Sequence, residues 1–402
     1  MHAIRAPQVF DGEGFRAGGA TVLVEDGLVL GVEAFDHPVP EGCAVTTHDG
    51  TLLPGLVDAH THLVTDSGPA ALDRVGGCSH DEIDAVVSKA LADQLAAGVT
   101  TVRDLGDRRF NVVERRDRQH RVPTVEPTIV ASGPPLTSPG GHCHFMGGEV
   151  AGAAAIERAI AERVERGVDV VKVMASGGVN TPGSDVQRLQ FTTEELRLVV
   201  DLAHAGGLRV TAHAHATTAV EQAISVGVDG IEHCTCTDAT GMGRVDDETV
   251  ARLVRQGIVV CPTLGVDPRL VDAPPPMIRA LMEKLHTTMR EFVRDRTEFV
   301  GRLHRSGVRL ISGLDSGINP GKAHGLVGHA VCELVTGGLT TAEAVATATS
   351  GATEAIGLGD RKGRLAVGYD ADLLVVDGDL ERDVSALLRP VAVFLRGLPV
   401  SA

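Results

Sequence analysis

Two stretches close together in the chain, VDVVKVMASGG (residues 168–178) and TEELRLVVDLAHAGGLRVTAHAH (193–215), decide the architecture. The first is an apolar run of strand length that ends on a glycine pair. The second opens with an amphipathic segment that starts on threonine caps and closes on Gly206 and Gly207, the punctuation of a helix. It then returns to a short apolar run ending at His215. Strand, helix, strand in this order predicts a βαβ unit and a parallel sheet. Within the first run Lys172 stands among Val170, Val171, Val173 and Met174. A buried strand rejects an ammonium group unless something pairs with it or neutralises it.

The same rhythm extends outward. Strand candidates are LLPGLVDAHTHL, VTTVRDLG, PTIVASG, VDVVKVMASGG, RVTAHAH, GIEHC, IVVCPTL and VRLISGLDSG, most of them separated by helical patterns. Eight strand–helix units over about 300 residues are what a (β/α)8 TIM barrel of the α/β class requires. The two chain ends differ in texture. ATVLVEDGLVLGV predicts a hairpin about Asp26-Gly27, and GRLAVGYDADLLVVDGDL with VAVFLRGLPV predicts strands separated by turns. The expected organisation is a small β-sandwich built from 1–54 and 363–402, with the barrel over 55–362. One insertion, 265–305, carries DAPPP and then a charged helical stretch, MIRALMEKLHTTMREFVRDRTEFVGRL (277–303), expected over the barrel mouth or at a subunit contact.

Composition removes several classes of function. A net charge of −16 over 402 residues argues against a nucleic-acid partner, because phosphate neutralisation needs clustered Lys and Arg. With no tryptophan and one tyrosine there is little aromatic surface for stacking. No apolar run approaches a membrane span, and the first residues lack the apolar core of a signal peptide. Seven cysteines at irregular spacing predict small buried hydrophobes rather than a disulfide framework. Together these lead to the expectation of a cytoplasmic protein with no membrane or nucleic-acid partner.

Several strand candidates end in a group able to bind metal. His60 and His62 are two apart, so one strand face carries both. Lys172 lies on the fourth candidate, His213 and His215 on the fifth, His233 on the sixth and Asp315 on the eighth. Any one of these histidines alone reads as a hydrogen-bonded core residue, Asp315 alone as a cap or turn residue, and Lys172 alone as half of an ion pair. Barrel active sites form at the C-terminal ends of the strands, where these side chains would converge. His142 and His144 sit in a Gly/Pro-rich loop that reads as a substrate-facing lid. His213 lies deeper in its strand and is the expected ligand, leaving His215 to face the pocket. ASGGVNTPGS lacks a phosphate-loop spacing and reads as a mobile loop.

PGLVDAHTHL, VKVMASGGV, VTAHAHATTAVEQAISVGVDGIEH, SGLDSG and GRLAVGYDADLLVVDGDL together resemble the amidohydrolase superfamily. Within it the chain is similar to the imidazolonepropionase-related branch of Xaa-Pro dipeptidase-like and arginine carboxypeptidase-like enzymes. The resemblance runs nearly end to end. It implies a site for two divalent metal ions, commonly zinc, with His60, His62 and Asp315 on one and His213 and His233 on the other. Lys172, carboxylated by carbon dioxide, would bridge them together with a hydroxide. Burial lowers a lysine pKa, and the neutral amine is the form that carbon dioxide carboxylates. Asp315 would move the proton to the leaving nitrogen, and His142 and His215 would contact substrate.

The single-metal deaminases of the superfamily lack the strand-four lysine and carry a glutamate shortly after the strand-five histidine. HAHATT has no such glutamate, which separates the chain from them and from imidazolonepropionase itself. The expected function is therefore hydrolysis of an amide bond in a small substrate, a dipeptide or an N-acyl amino acid, by a homo-oligomer. Two alternatives are hydrolysis of a cyclic amide or of a carbamate or ester xenobiotic, and a non-catalytic relative used for assembly.

Overall fold

A computed structural model of the protein describes residues 1–122, 124–274, 278–279, 282–283 and 287–400. Its organisation is mixed α/β. Strands Leu56–Thr61, Val99–Asp104 and Thr128–Ala131 form one parallel sheet, and Val170–Met174, Arg209–Ala216, Gly230–Thr237 and Val259–Cys261 form another. Isolated parallel bridges continue the pairing between them: Leu136 with Val173, Val260 with Leu310, and Ser316 with Thr61.

The eighth candidate, VRLISGLDSG, thus contributes bridges rather than a regular strand. Ile311 N–H donates to the Val260 carbonyl at 3.0 Å, whereas the N–H groups of Asp315 and Ser316 both donate to the His60 carbonyl, at 2.8 and 3.1 Å. The pairing passes from the seventh strand to the first within a few residues, and Asp315, at φ 67°, breaks the extended backbone between them.

Helices pack outside these strands for reasons visible in their ends. Helix Thr193–Ala205 starts at Thr192, whose hydroxyl accepts from Glu195 N–H while the Glu195 carboxylate accepts from Thr192 N–H. This reciprocal cap satisfies two otherwise orphaned donors. The helix buries Leu196, Val199, Val200 and Ala203 in the main core and stops at Gly206. Helix His80–Ala96 repeats the device with Ser79 and Glu82.

Both chain ends contribute to a second pair of sheets. Six strands run in the order Leu398–Pro399, Pro390–Leu395, Leu373–Val376, Thr51–Pro54, Gln8–Phe10 and Phe15–Arg16; four more run Leu28–Glu33, Ala20–Glu25, His2–Ala6 and Ala44–Thr47. The expected hairpin turns at Asp26 and Gly27, both at positive φ. Strands Thr51–Pro54 and Leu373–Val376 are apolar on both faces because each lies between two cores. Leu52, Leu373 and Val375 join Ile4, Val22 and Phe394, while Leu53, Leu374 and Val376 join the main core. Each such side chain contributes about 1.5–3 kcal/mol by burial.

The insertion differs from expectation. The sequence reads as one helix over 277–303; residues 278–279 and 282–283 are helical, the chain leaves the helix at 287–288, and helix Met289–Arg305 starts anew there with a reciprocal cap between Thr288 and Glu291. A short helix, Pro268–Asp272, precedes it, and part of the stretch between them lies outside the described residues. Among the described residues, no helix is long and apolar enough to cross a membrane.

Candidate metal centre

Strand ends bring the singled-out side chains together. His60 belongs to Leu56–Thr61 and His62 follows it; Lys172 lies on Val170–Met174, His213 and His215 on Arg209–Ala216, and His233 on Gly230–Thr237. Ring centroids trace one cluster: His62 to His60 5.4 Å, His60 to His233 5.2 Å, His233 to His213 4.5 Å, and His213 to His142 4.6 Å. His215 stacks on His233 at 4.6 Å. Asp315 Oδ1 lies 3.1 Å from His62 Nε2 and 3.4 Å from His60 Nε2. Three triads of the described residues offer ligand atoms all within 4.8 Å of one another: His213, His215 and His233; His60, His233 and Asp315; and His60, Glu232 and Cys261. His215 is therefore as close to His213 and His233 as a ligand would be, although the sequence reading gives it to the pocket.

Hydrogen bonds fix which nitrogen of His60 and of His62 faces inward. His60 Nδ1 is 2.8 Å from Glu232 Oε2, and His62 Nδ1 is 3.3 Å from the Gly106 carbonyl. An ionised carboxylate and a carbonyl only accept, so both Nδ1 atoms donate, and the two Nε2 atoms meet Asp315 Oδ1. Acceptors converging in this way call for a cation between them. Burial lowers the His62 pKa, but Asp315 outweighs it and the net shift is upward. Hydroxyls of Thr263, Thr235 and Thr181 lie 2.8, 3.0 and 2.7 Å from Nδ1 of His233, His215 and His142.

Electrostatics keep most of the imidazoles neutral, the form that ligates metal. Burial, then the Lys172 charge, lowers the His60 pKa to about 4. Burial, then Arg296, lowers that of His215 to about 4, and burial, then His215, lowers that of His142 to about 3. Burial alone would raise the Asp315 carboxyl, but His60 and His62 outweigh it and hold the group far below the usual carboxylate range.

Lys172 is 1% exposed, and its Nζ has no hydrogen-bond partner among the described residues. Burial pushes its pKa down, with Glu232 and Asp315 opposing. Its charge acts on His60, His62, His142, His213, His215 and His233. An unpartnered buried amine amid neutral imidazoles fits a site that carboxylation and cations would complete, since zinc takes nitrogen and carboxylate ligands.

Three supporting residues escaped the sequence reading. Glu232 accepts from Arg103 Nη2 at 2.8 Å and from Thr211 Oγ1 at 2.6 Å as well as from His60. Its sequence signal is the same as that of Lys172, a charge inside an apolar strand, next to His233. The positive φ of His233, 67°, interrupts strand alternation and lets successive residues both serve the site. Thr263 supports His233, and Gly178 makes room for His142, because a Cβ there would lie 2.3 Å from His142 Nε2. ASGGVNTPGS, expected as a mobile loop, is tied back by Gly177 N–H to the Arg188 carbonyl and by Gly178 N–H to Ser184 Oγ, each at 3.0 Å. Cys143, Cys234, Cys236 and Cys261 are buried and all seven cysteines are free.

Comparison with known proteins agrees in extent with this geometry. The amidohydrolase family profile matches residues 51–400. Ochratoxinase of Aspergillus niger is 25% identical, over 95% of this chain and 82% of that protein. Imidazolonepropionase of Ectopseudomonas mendocina is 26% identical, over 93% of this chain and 90% of that protein. A crystal structure of a prolidase complexed with N-methylphosphonate-L-proline superposes with a TM-score of 0.83 at 25% identity, covering 99% of each chain.

Proposed function

Because the chain belongs to the amidohydrolase family, hydrolases of carbon–nitrogen bonds, we propose that it cleaves the amide bond of a small substrate, a dipeptide or an N-acyl amino acid, at a binuclear metal site. The buried Nζ of Lys172, which has no hydrogen-bond partner among the described residues and whose charge acts on His60, His62, His142, His213, His215 and His233, carries this reading. Similarity to a prolidase and to ochratoxinase supports it.

His60, His62 and Asp315 would hold one divalent ion, most simply zinc, and His213 and His233 the other, with carboxylated Lys172 shared between them. When bound, the ions polarise the scissile carbonyl and make water nucleophilic at neutral pH. The chain's own residues do the rest. Asp315 Oδ1 faces His60 Nε2 and His62 Nε2, where the ion would be held, which leaves Oδ2 to accept the proton of the attacking water and pass it to the leaving nitrogen. His142 and His215, each with its ring centroid 4.6 Å from that of His213, orient the substrate. Glu232 holds His60 in one tautomer.

The fold supports this placement. The pairing described above is consistent with a closed (β/α)8 barrel over 55–362, and the two separate cores favour a terminal β-sandwich from 1–54 and 363–402. Free cysteines are consistent with a reducing, cytoplasmic setting. Opening of a cyclic amide is the second reading; a panel of linear against cyclic amides separates the two.

Lys172→Ala tests the bridging role. Bound metal, measured by mass spectrometry after purification with zinc supplied, falls below that of the native chain. Turnover drops by more than about a hundredfold, beyond the loss typical of an outer partner. Native metal content and near-native turnover in the variant would refute the bridge, and a native chain that takes up no metal would favour a non-catalytic relative.

A further inference from the structure

The 265–305 insertion has no task in the chemistry above, yet one side chain of helix Met289–Arg305 reaches the histidine cluster. Arg296 leans over the end of strand Val259–Cys261. Its Nη2 donates to the Pro262 carbonyl, to the Thr263 carbonyl at 2.9 Å and to Thr263 Oγ1 at 2.7 Å. The same hydroxyl is 2.8 Å from His233 Nδ1, so the guanidinium stands one hydroxyl away from the cluster. Its charge is also the largest one acting on His215.

Most of the donors of Arg296 are idle. A guanidinium offers five N–H groups, and here only Nη2 is engaged within the described residues. Nε is closed off from solvent and has no partner among the described residues. No carboxylate of the described residues pairs with it. Lys322 beside it is different, for its ammonium donates to the carbonyls of Thr263 at 2.8 Å, Leu264 at 3.5 Å and Gly265. Lys322 thus fixes the loop under the arginine and adds positive charge, while Arg296 keeps free donors. Arg296 is partly buried, and a cation partly withdrawn from water without an anion beside it is costly, a cost that an arriving anion offsets.

We propose that Arg296 receives the carboxylate of the substrate, so that this site selects amides bearing a carboxylate over neutral amides, carbamates and ureas. The assignment rests on the proposed amide hydrolysis and names the substrate class within it.

The test compares metal-loaded wild type, Arg296→Gln and Arg296→Lys on N-acetyl amino acids and dipeptides and on the same compounds as C-terminal carboxamides. Binding of free L-amino acids is measured alongside by calorimetry. Wild type should prefer the acids by roughly a hundredfold in kcat/KM, the effect of leaving one partner of a desolvated charge pair alone. Arg296→Gln should bring that ratio close to one, mainly through KM, and weaken amino-acid binding. Arg296→Lys should recover part of it, since it keeps the charge but loses the planar fork. Equal use of acids and carboxamides by wild type, or equal losses on both in Arg296→Gln, would overturn the assignment. If wild type hydrolyses no member of the panel, the proposed function fails, and amino-acid binding still decides the role of Arg296.

Discussion

At the scale of the residue, Glu232 shows how one buried carboxylate sets a neighbouring imidazole. Its Oε1 takes hydrogen bonds from Arg103 and Thr211, and its Oε2 takes that of His60 Nδ1. In Glu232→Gln an amide nitrogen would face the Nδ1 proton. His60 would then have to move its proton to Nε2, the nitrogen that looks toward Asp315, and Arg103 would lose its counter-charge. Metal affinity should fall about 10–100-fold, as for other outer partners of ligating histidines, with kcat falling alongside. Isothermal titration of the metal-free protein with zinc checks the first, and unchanged affinity would show that the pair does not orient His60. The histidines, Lys172 and Asp315 were legible because a polar group repeating at apolar strand ends is costly and needs a reason. Glu232 carried the same signal, but its partners lie 129 and 172 residues away, on Arg103 and His60, and no local pattern announces them.

At the scale of the element, the glycine pair after strand Val170–Met174 shows what a local reading misses. Gly177 and Gly178 look like turn residues, yet their constraint is tertiary. A Cβ on Gly177 would lie 2.1 Å from the Asp185 carbonyl, and one on Gly178 would lie 2.3 Å from His142 Nε2. Gly178→Ala must push the imidazole aside or break its bond to Thr181 Oγ1. The expected outcome is a kcat/KM reduced by about a hundredfold, the cost of a 1 Å misplacement, with zinc content retained. Loss of zinc together with activity would instead place the effect on the ligands. Regular elements were legible where propensity, caps and period agreed, as in Thr193–Ala205. They were not where a tertiary contact overrode them: Asp315 leaves the extended region to serve two strands at once, while in the insertion a local cap of Thr288 with Glu291 restarts the helix at Met289.

At the scale of the whole molecule, the terminal sheets and the strand that starts at Leu56 are tied by one buried ion cluster. Lys362 Nζ contacts Asp370 Oδ2 at 2.8 Å and also Asp372, and Arg361 Nη2 contacts Asp370 Oδ2 at 2.8 Å. The Asp372 carbonyl accepts from Gly55 N–H at 2.8 Å, and the Lys362 carbonyl accepts from Thr353 Oγ1 at 2.9 Å. The cluster therefore links strand Leu373–Val376, the entry to the first strand and helix Ser350–Ala355. Burial alone would raise the Asp370 carboxyl, but Lys362 and Arg361 outweigh it and the net shift is downward. A carboxyl held below its unfolded value of about 3.9 stabilises the fold fully above that value. The contribution is lost as pH falls through it toward the folded pKa. Asp370→Asn mimics the protonated state at every pH. It should lower stability by about 1 kcal/mol at pH 7, the size expected of an ion pair with some access to solvent. The gap to the native chain should close as pH drops below about 4. Urea unfolding midpoints recorded from pH 7 down to pH 3 test this directly. A gap that stays constant over that range would mean that Asp370 acts through packing, and that the junction owes nothing to its charge.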